Sequence, residues 1–212
     1  MFQIKHKATG EVLLALYLAT LEGWSMPGVK LCDACFSRLK LARVDLQGAT
    51  LSGCDFTDAL LDAASFQSAT ISHATLERAS LKGANFVDCI AIEVKLRNAC
   101  APKANFRYAK FPGADLCGAD LSGADLSMMD LHGANLENAN LTGADLRSSD
   151  LDNAILTGAN LARADLTGAH LRDVDLTGAI LEGTIRPLGK RVPTRPAAKA
   201  PAPHAWWHFW GA

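Results

Sequence analysis

Residues 113–126 repeat one short pattern: Gly113-Ala114-Asp115-Leu116-Cys117-Gly118-Ala119-Asp120-Leu121-Ser122-Gly123-Ala124-Asp125-Leu126. The large apolar residue recurs at every fifth position, and the same register runs from Phe36 to Leu181. Of these thirty central positions, twenty-eight hold Leu, Phe or Ile, and the exceptions are Ala91 and Ala101. The residue two positions before each centre is usually small, and it is Ala at twenty-two of the thirty. Such a strict internal period indicates the architecture before any other signal.

A period of five residues fits neither a straight helix nor a flat strand. On a helix each centre would lie about 140° from the previous one, so the apolar side would spread around the axis. On a strand every second centre would point to the opposite face. The period works if the chain turns a corner after each pentapeptide, so that four sides make a coil of twenty residues and coils stack at about 4.8 Å. The sequence therefore predicts an all-β solenoid, whose coils bury their apolar side against their neighbours.

The run A-(D/N)-L-x-G resembles the repeat of the pentapeptide repeat family. The resemblance covers residues 31–185, about seven coils, without an insertion. It implies a right-handed quadrilateral β-helix. The activities of the family differ widely, so the resemblance implies a fold and leaves the function open.

Residues 1–30 do not follow the repeat and are expected to form an N-terminal cap. Two apolar runs flank the turn residues Ala8-Thr9-Gly10, which predicts a β-hairpin of about 2–7 with 11–17. A targeting signal is the alternative, because Lys5 and Lys7 precede an apolar stretch. Glu11 borders that stretch, no small-x-small cleavage site follows, and the stretch is about half a membrane span. The cap is therefore favoured, since an open β-helix end exposes unpaired strand edges.

Residues 186–212 leave the repeat for Pro, Ala and basic residues, a composition typical of a flexible or polyproline-like tail. The tail ends in a dense aromatic cluster whose candidate anchors are Trp206, Trp207, Phe209 and Trp210. Three roles are open for them. They cap the last coil, they join two chains as a homodimer through the C-terminal end, or they enter a membrane interface. A membrane role is disfavoured, and docking into a partner protein through Trp anchors stays open.

Within the repeat, two features predict details of the core. Phe66, Phe86 and Phe106 are twenty residues apart and should stack as a ladder on one side. The segment Cys89–Lys103 contains both Ala centres and Pro102, so it is expected to form a distorted coil, with Phe111 of the next coil filling part of the gap.

The sequence predicts neither an enzyme nor a metal or cofactor site. Cys32-x-x-Cys35 lacks the further ligands of a structural zinc site. His73, His132 and His170 lie in different outward registers, and no phosphate loop, nucleophile elbow or dinucleotide fingerprint occurs. The Asp before each centre stands at a repeated corner, where short polar side chains bond nearby backbone. The six cysteines favour a reducing compartment, hence a cytoplasmic location.

The charge is distributed unevenly although the net charge is only −1. Residues 115–185 contain twelve acidic and three basic residues, whereas the middle of the repeat and the tail are basic. The middle patch consists of Lys95, Arg97, Lys103, Arg107 and Lys110. The candidate acidic interaction face consists of two rows on neighbouring sides, namely Asp125, Asp145 and Asp165, then Asp130 and Asp150.

Two functions follow from these features. The first is a rigid protein-interaction scaffold with an unknown protein partner. The second rests on the resemblance, because some pentapeptide repeat proteins mimic DNA and bind type II topoisomerases such as DNA gyrase. This chain differs from those in its near-zero net charge, its basic middle patch and its lack of a helical C-terminal dimerisation segment. Neither function requires direct binding of nucleic acid.

Overall fold

The computed structural model describes residues 2–18 and 20–187. It contains three strands, β1 (Phe2–His6), β2 (Val12–Leu16) and β3 (Ala34–Cys35), and the described residues contain no helix. Accordingly, no helix in the described part of the chain is long and apolar enough to cross a membrane.

Beyond the strands, the chain is a stack of four-sided coils. Single-residue parallel bridges join residues twenty apart, from Ser25↔Asp45 to Asp165↔Ile185, and one occurs at every fifth residue without interruption. The predicted quadrilateral solenoid is thereby confirmed. The coil geometry already includes Leu21, Gly23 and Met26, inside the segment 1–30 that the sequence assigned to the cap.

Backbone hydrogen bonds explain why five residues make one side. At the position before the centre, which we call the bridge position, Asp120 N–H donates to the Ala99 carbonyl of the previous coil at 2.9 Å. At the centre, Leu121 N–H donates to the Asn140 carbonyl of the next coil at 2.8 Å. Ala124 N–H then bonds back to the Leu121 carbonyl at 3.0 Å, which closes the corner. Each side is thus bound to both neighbouring coils before the chain turns.

One N–H in each pentapeptide takes no part in this ladder, and it belongs to the residue after the centre, the first corner position. At Ser122 this N–H donates to Asp120 Oδ1 at 3.1 Å. The repeated Asp and Asn of the bridge position therefore serve the corner, as the sequence suggested. Proline lacks an N–H and fits this position without loss. It occurs there four times in the described chain, at Pro27, Pro102, Pro112 and Pro187.

The prediction of a distorted coil over residues 89–103 is wrong. The bridges continue through the segment, with Ile90↔Lys110 and Lys95↔Asp115 in register. Ala101 is fully buried at its centre, and Pro102 occupies the corner position that needs no N–H. The irregular sequence changes side chains without changing the backbone.

The second corner position, two residues after the centre, always has a positive φ. From Gly23 to Gly183 it holds fourteen glycines and nineteen other residues, with φ between 51° and 72°. The left-handed conformation costs a non-glycine residue about 1–2 kcal/mol. The ladder of the coils imposes this conformation even on Ala63 and Tyr108.

Phenylalanine rings stack inside the coil as the sequence predicted. The centroid distances are 4.6 Å for Phe36–Phe56 and 4.8 Å for both Phe66–Phe86 and Phe86–Phe106. These distances match the spacing between coils. Phe111 is fully buried one coil after Ala91 and meets Phe86 and Phe106 edge-on, at 6.2 and 5.6 Å.

The predicted N-terminal hairpin is confirmed. β1 lies between β2 and β3 and pairs antiparallel with both. Ile4 of β1 is fully buried against the first coil, so the hairpin covers that end of the stack.

Candidate protein-interaction surface

Two adjacent sides of the coil contain the candidate site residues. We call them the Phe106 side, with centres at 46, 66, 86, 106, 126, 146 and 166, and the Phe111 side, with centres at 51, 71, 91, 111, 131, 151 and 171. The structure stacks Asp125, Asp145 and Asp165 on the Phe106 side through consecutive bridges. It stacks Asp130 on Asp150 on the Phe111 side. The two acidic rows therefore lie where the sequence placed them.

Arginines interrupt the row on the Phe106 side. Arg147 Nε and Nη2 donate to Asp145 at 2.8 and 2.6 Å, and this bonding holds the pKa of Asp145 below its usual value. Arg107 Nε lies 3.7 Å from Asp125 Oδ2. Two of the three carboxylates in this row thus have a cationic neighbour, and the surface has interleaved charge.

The carboxylates of the row on the Phe111 side accept hydrogen bonds from backbone N–H groups. Asp130 Oδ1 accepts the N–H of His132 at 3.0 Å, and Asp150 Oδ1 accepts the N–H of Asp152 at 3.0 Å. Lys110, which lies in the preceding coil, forms a backbone bridge with Asp130. One oxygen of each carboxylate is therefore engaged by the corner, and the other remains for a partner.

The buried carboxylate of Asp152 pairs with the exposed side chain of Arg172, and the sequence did not reveal this pair. Asp152 is 4% exposed, and it accepts Arg172 N–H at 2.8 Å, Nε at 2.7 Å and Nη2 at 2.6 Å. Burial raises the pKa of Asp152, but the hydrogen bonds and charge of Arg172 outweigh burial and hold it below its usual value. In the described chain, only Asp150, Asp152 and His170 bring three ligand atoms close enough for a metal ion. Because Arg172 occupies both oxygens of Asp152, we assign this group to stability.

An apolar cluster, which we call the apolar corner, begins at Tyr108 and Met128, where the Phe106 side meets the Phe111 side, and extends along the Phe111 side to Ile92. It consists of Ile90, Ile92, Tyr108 and Met128, whose exposed fractions range from 39% to 51%. Tyr108 N–H donates to the Ser127 carbonyl at 3.3 Å, so Met128 follows Tyr108 in the next coil. Polar or small residues occupy most equivalent positions elsewhere. Exposed apolar clusters of this kind with a polar border mark interaction sites.

Charged residues border the apolar corner. Arg107 places its guanidinium 5.2 Å from the centre of the Tyr108 ring and also approaches Asp125. Lys110 stands between Ile90 and Asp130 in one row of bridges. Apolar centres with a charged rim, and with Tyr, Met and Arg among them, are typical of protein interfaces.

The basic middle patch surrounds a single coil, residues 95–110, because its five residues are distributed over all four sides. The next coil opposes them with carboxylates. Arg97 Nη1 bonds Asp115 Oδ2 at 3.0 Å, and Lys95 is bridged to the same Asp115. Two of the five cations of the patch, Arg97 and Arg107, therefore have carboxylates of the following coil as neighbours.

The cysteines are free thiols, and two of them are core residues. Cys54 Sγ donates to the Leu31 carbonyl at 2.8 Å, and burial raises its pKa to about 12. Burial raises the pKa of Cys89 as well. Cys32 is exposed and Cys35 is half-buried. The aromatic anchors Trp206, Trp207, Phe209 and Trp210 lie outside the described residues.

Comparisons with known proteins agree with this geometry. A family model described as Pentapeptide repeats matches in eight copies, over residues 34–78, 71–107, 103–138, 129–158 and 147–183. Full-length QnrB1, a plasmid-mediated fluoroquinolone resistance protein, has a TM-score of 0.58 at 22% identity, over 75% of this chain and 84% of that one.

Two further solved structures are similar to this chain over different shares of its length. A pentapeptide repeat protein from the Arabidopsis thaliana thylakoid lumen is 32% identical over 45% of this chain and 66% of that one, with a TM-score of 0.44. HetL, involved in heterocyst differentiation regulation in Nostoc sp. strain PCC 7120, is 28% identical over 82% of this chain and 94% of that one, with a TM-score of 0.31. No curated protein matches the chain.

Proposed function

The chain belongs to the pentapeptide repeat family, and we propose that it is a non-enzymatic, rigid scaffold that binds a protein partner through the apolar corner. The observation that carries this proposal is the exposure of Ile90, Ile92, Tyr108 and Met128 at one corner and along the adjoining Phe111 side. Other exposed large apolar residues of the coil, such as Leu60 and Ile155, stand on other sides. A cytoplasmic site of action suits the free thiols.

The backbone of this surface is suited to pre-organised binding. The corner stands on an uninterrupted ladder of bridges, so its side chains need little ordering when a partner arrives. The surface is suited to a partner that has an apolar centre and a carboxylate facing Lys110. Direct binding of nucleic acid is not part of the proposal.

The test compares a double variant at the apolar corner with a single substitution on another side of the coil. A variant with Ile90→Ser and Tyr108→Ser should lose cross-linked protein partners that the parent chain retains in cell extract. The matched control is Leu60→Ser, because Leu60 is 46% exposed at a bridge position on another side. Equal retention of the same partners by both variants would contradict the proposal.

A second candidate function, favoured by the two acidic rows, is DNA mimicry toward a type II topoisomerase such as DNA gyrase. Duplex DNA carries one negative charge per about 1.7 Å of axis. Each acidic row offers one carboxylate per coil, at about 4.8 Å, so two rows give one per about 2.4 Å. Arg107 and Arg147 reduce this density further. The likeness to QnrB1 supports the shared fold alone.

DNA mimicry is tested by gyrase supercoiling with titrated protein, with and without a fluoroquinolone. The hypothesis expects inhibition or protection at low protein excess, and it expects the effect to weaken when Asp130, Asp150 and Asp165 are changed to Asn. Asp55→Asn is the control, because Asp55 is a bridge residue far from the rows. Absence of any effect at large excess would exclude this function for gyrase.

A further inference from the structure

The two ends of the coil stack differ. At the N-terminal end, β1 pairs with β3 through Lys5↔Cys35 and His6↔Ala34. Lys7 N–H adds a bond of 2.7 Å to the Asp33 carbonyl. The hairpin therefore covers the apolar interior at that end and pairs with the strand edge of one side, at β3.

At the C-terminal end, the described residues provide no such cover. Central and small residues of the earlier coils are almost fully buried, whereas Leu171, Leu176, Ala179 and Leu181 are only half-buried. The central N–H groups one coil earlier, at residues 151, 156 and 161, all donate to the next coil at 2.8–3.0 Å. Those of Leu171, Leu176 and Leu181 have no partner among the described residues. An uncovered apolar end with free edge groups is a site for pairing.

The chain itself continues from this end. The last described residue is Pro187, and twenty-five residues follow. Eighteen of them separate Pro187 from the aromatic cluster, and a linker of that length spans roughly 25 Å as a random coil. One side of the coil is five residues, at most about 18 Å. The cluster can therefore reach any part of the open end, at an effective concentration in the millimolar range.

Charge complementarity favours the same contact. The tail contributes four basic residues, Lys190, Arg191, Arg195 and Lys199, and no acidic residue. The end of the stack exposes acidic side chains, namely Asp173, Asp175 and Glu182. Arg172, a basic residue beside them, is bound to Asp152. The tail therefore meets a surface of opposite charge.

We propose that the aromatic segment 206–210 of the same chain packs on the open C-terminal end and covers Leu171, Leu176 and Leu181. The three Trp rings and Phe209 supply the apolar area, since aromatic side chains bury 150–250 Å² each in general. The basic linker neutralises the acidic rim. The tail thus performs at this end the task that the hairpin performs at the other.

The experiment is hydrogen exchange by mass spectrometry on the full-length chain. In a variant with Trp206, Trp207, Phe209 and Trp210 changed to Ala, peptides covering residues 169–183 should exchange about tenfold faster than in the parent chain. Peptides covering residues 149–163 serve as the internal control and should not change. Pro193→Ala with Pro196→Ala is the matched tail variant and should behave as the parent.

Two outcomes would overturn the proposal. The first is exchange of residues 169–183 that does not respond to the aromatic changes. The second is protection that disappears on dilution while light scattering shows a dimer becoming a monomer, because a second copy would then cover the end. A monomer with protection independent of concentration supports packing within one chain.

Discussion

Replacing Phe86 with Leu tests how much the aromatic column stabilises the coil. Phe86 stacks on Phe66 and on Phe106, both at 4.8 Å, and meets Phe111 edge-on at 6.2 Å. Leu retains most of the apolar volume but none of the three ring pairs. Each pair contributes about 0.5–1.5 kcal/mol beyond the buried area. We therefore expect Phe86→Leu to lower the free energy of unfolding by about 2–4 kcal/mol.

The control is Phe36→Leu, because Phe36 is equally buried but has one ring partner, Phe56 at 4.6 Å. Its expected cost is about 0.5–1.5 kcal/mol from the lost pair. Both variants are measured by urea unfolding followed by far-ultraviolet circular dichroism, with the m-value checked for an unchanged transition. If Phe86→Leu costs no more than Phe36→Leu, the ring pairs contribute nothing beyond apolar burial and the reasoning fails.

Three further predictions concern the corners and the ion pair between Asp152 and Arg172. Ser52→Pro, at a first corner position, should leave the urea midpoint unchanged or raise it, whereas Asp55→Pro should cost about 3 kcal/mol or more because Asp55 N–H donates to the Ala34 carbonyl at 2.9 Å. An equal loss of stability in Ser52→Pro and Asp55→Pro would contradict the conclusion that the N–H of the first corner position lies outside the ladder. Ala63→Gly should stabilise the chain by about 0.5–1 kcal/mol, since φ of 56° strains Ala, and a lower thermal midpoint would refute this. The lowered pKa of Asp152 means that its carboxylate adds stability above the ordinary Asp pKa of about 3.9, and that this stability is lost as pH falls through the folded-state pKa. Urea midpoints should therefore fall more between pH 6.5 and pH 3 in the parent chain than in Asp152→Asn, and equal falls would count against the pair.

The sequence predicts the coil well because the five-residue period is a direct record of its geometry. Phe66, Phe86 and Phe106 fall on one side once the chain is read in steps of twenty. The same sequence misleads at Pro102. A proline suggests an interruption of the coil unless one knows whether the backbone N–H at its position takes part in the ladder. Only the structure shows that the first corner position lies outside the ladder.

The candidate surface is predictable in placement but not in chemistry. The rows of Asp125 and Asp130 follow from the register alone. The pairing of Arg172 with Asp152 does not, because it depends on which rotamers of residues twenty apart meet across a coil. The apolar corner could have been found from sequence by reading Ile90 and Tyr108 as exposed positions of adjacent sides. Ile90 instead falls within residues 89–103, which the sequence predicts to form a distorted coil.

The equal length of the four sides has a consequence for how such a protein can change over generations. A duplication of one pentapeptide keeps every central residue in register but turns all downstream surface residues by a quarter of a revolution. A duplication of four pentapeptides keeps them on their side and moves them by about 4.8 Å along the axis. Duplications between Met128 and Asp145 would therefore rotate or shift the distal acidic residues relative to the apolar corner. A change in the number of repeats can thus alter the position of one binding surface relative to another while the core stays the same.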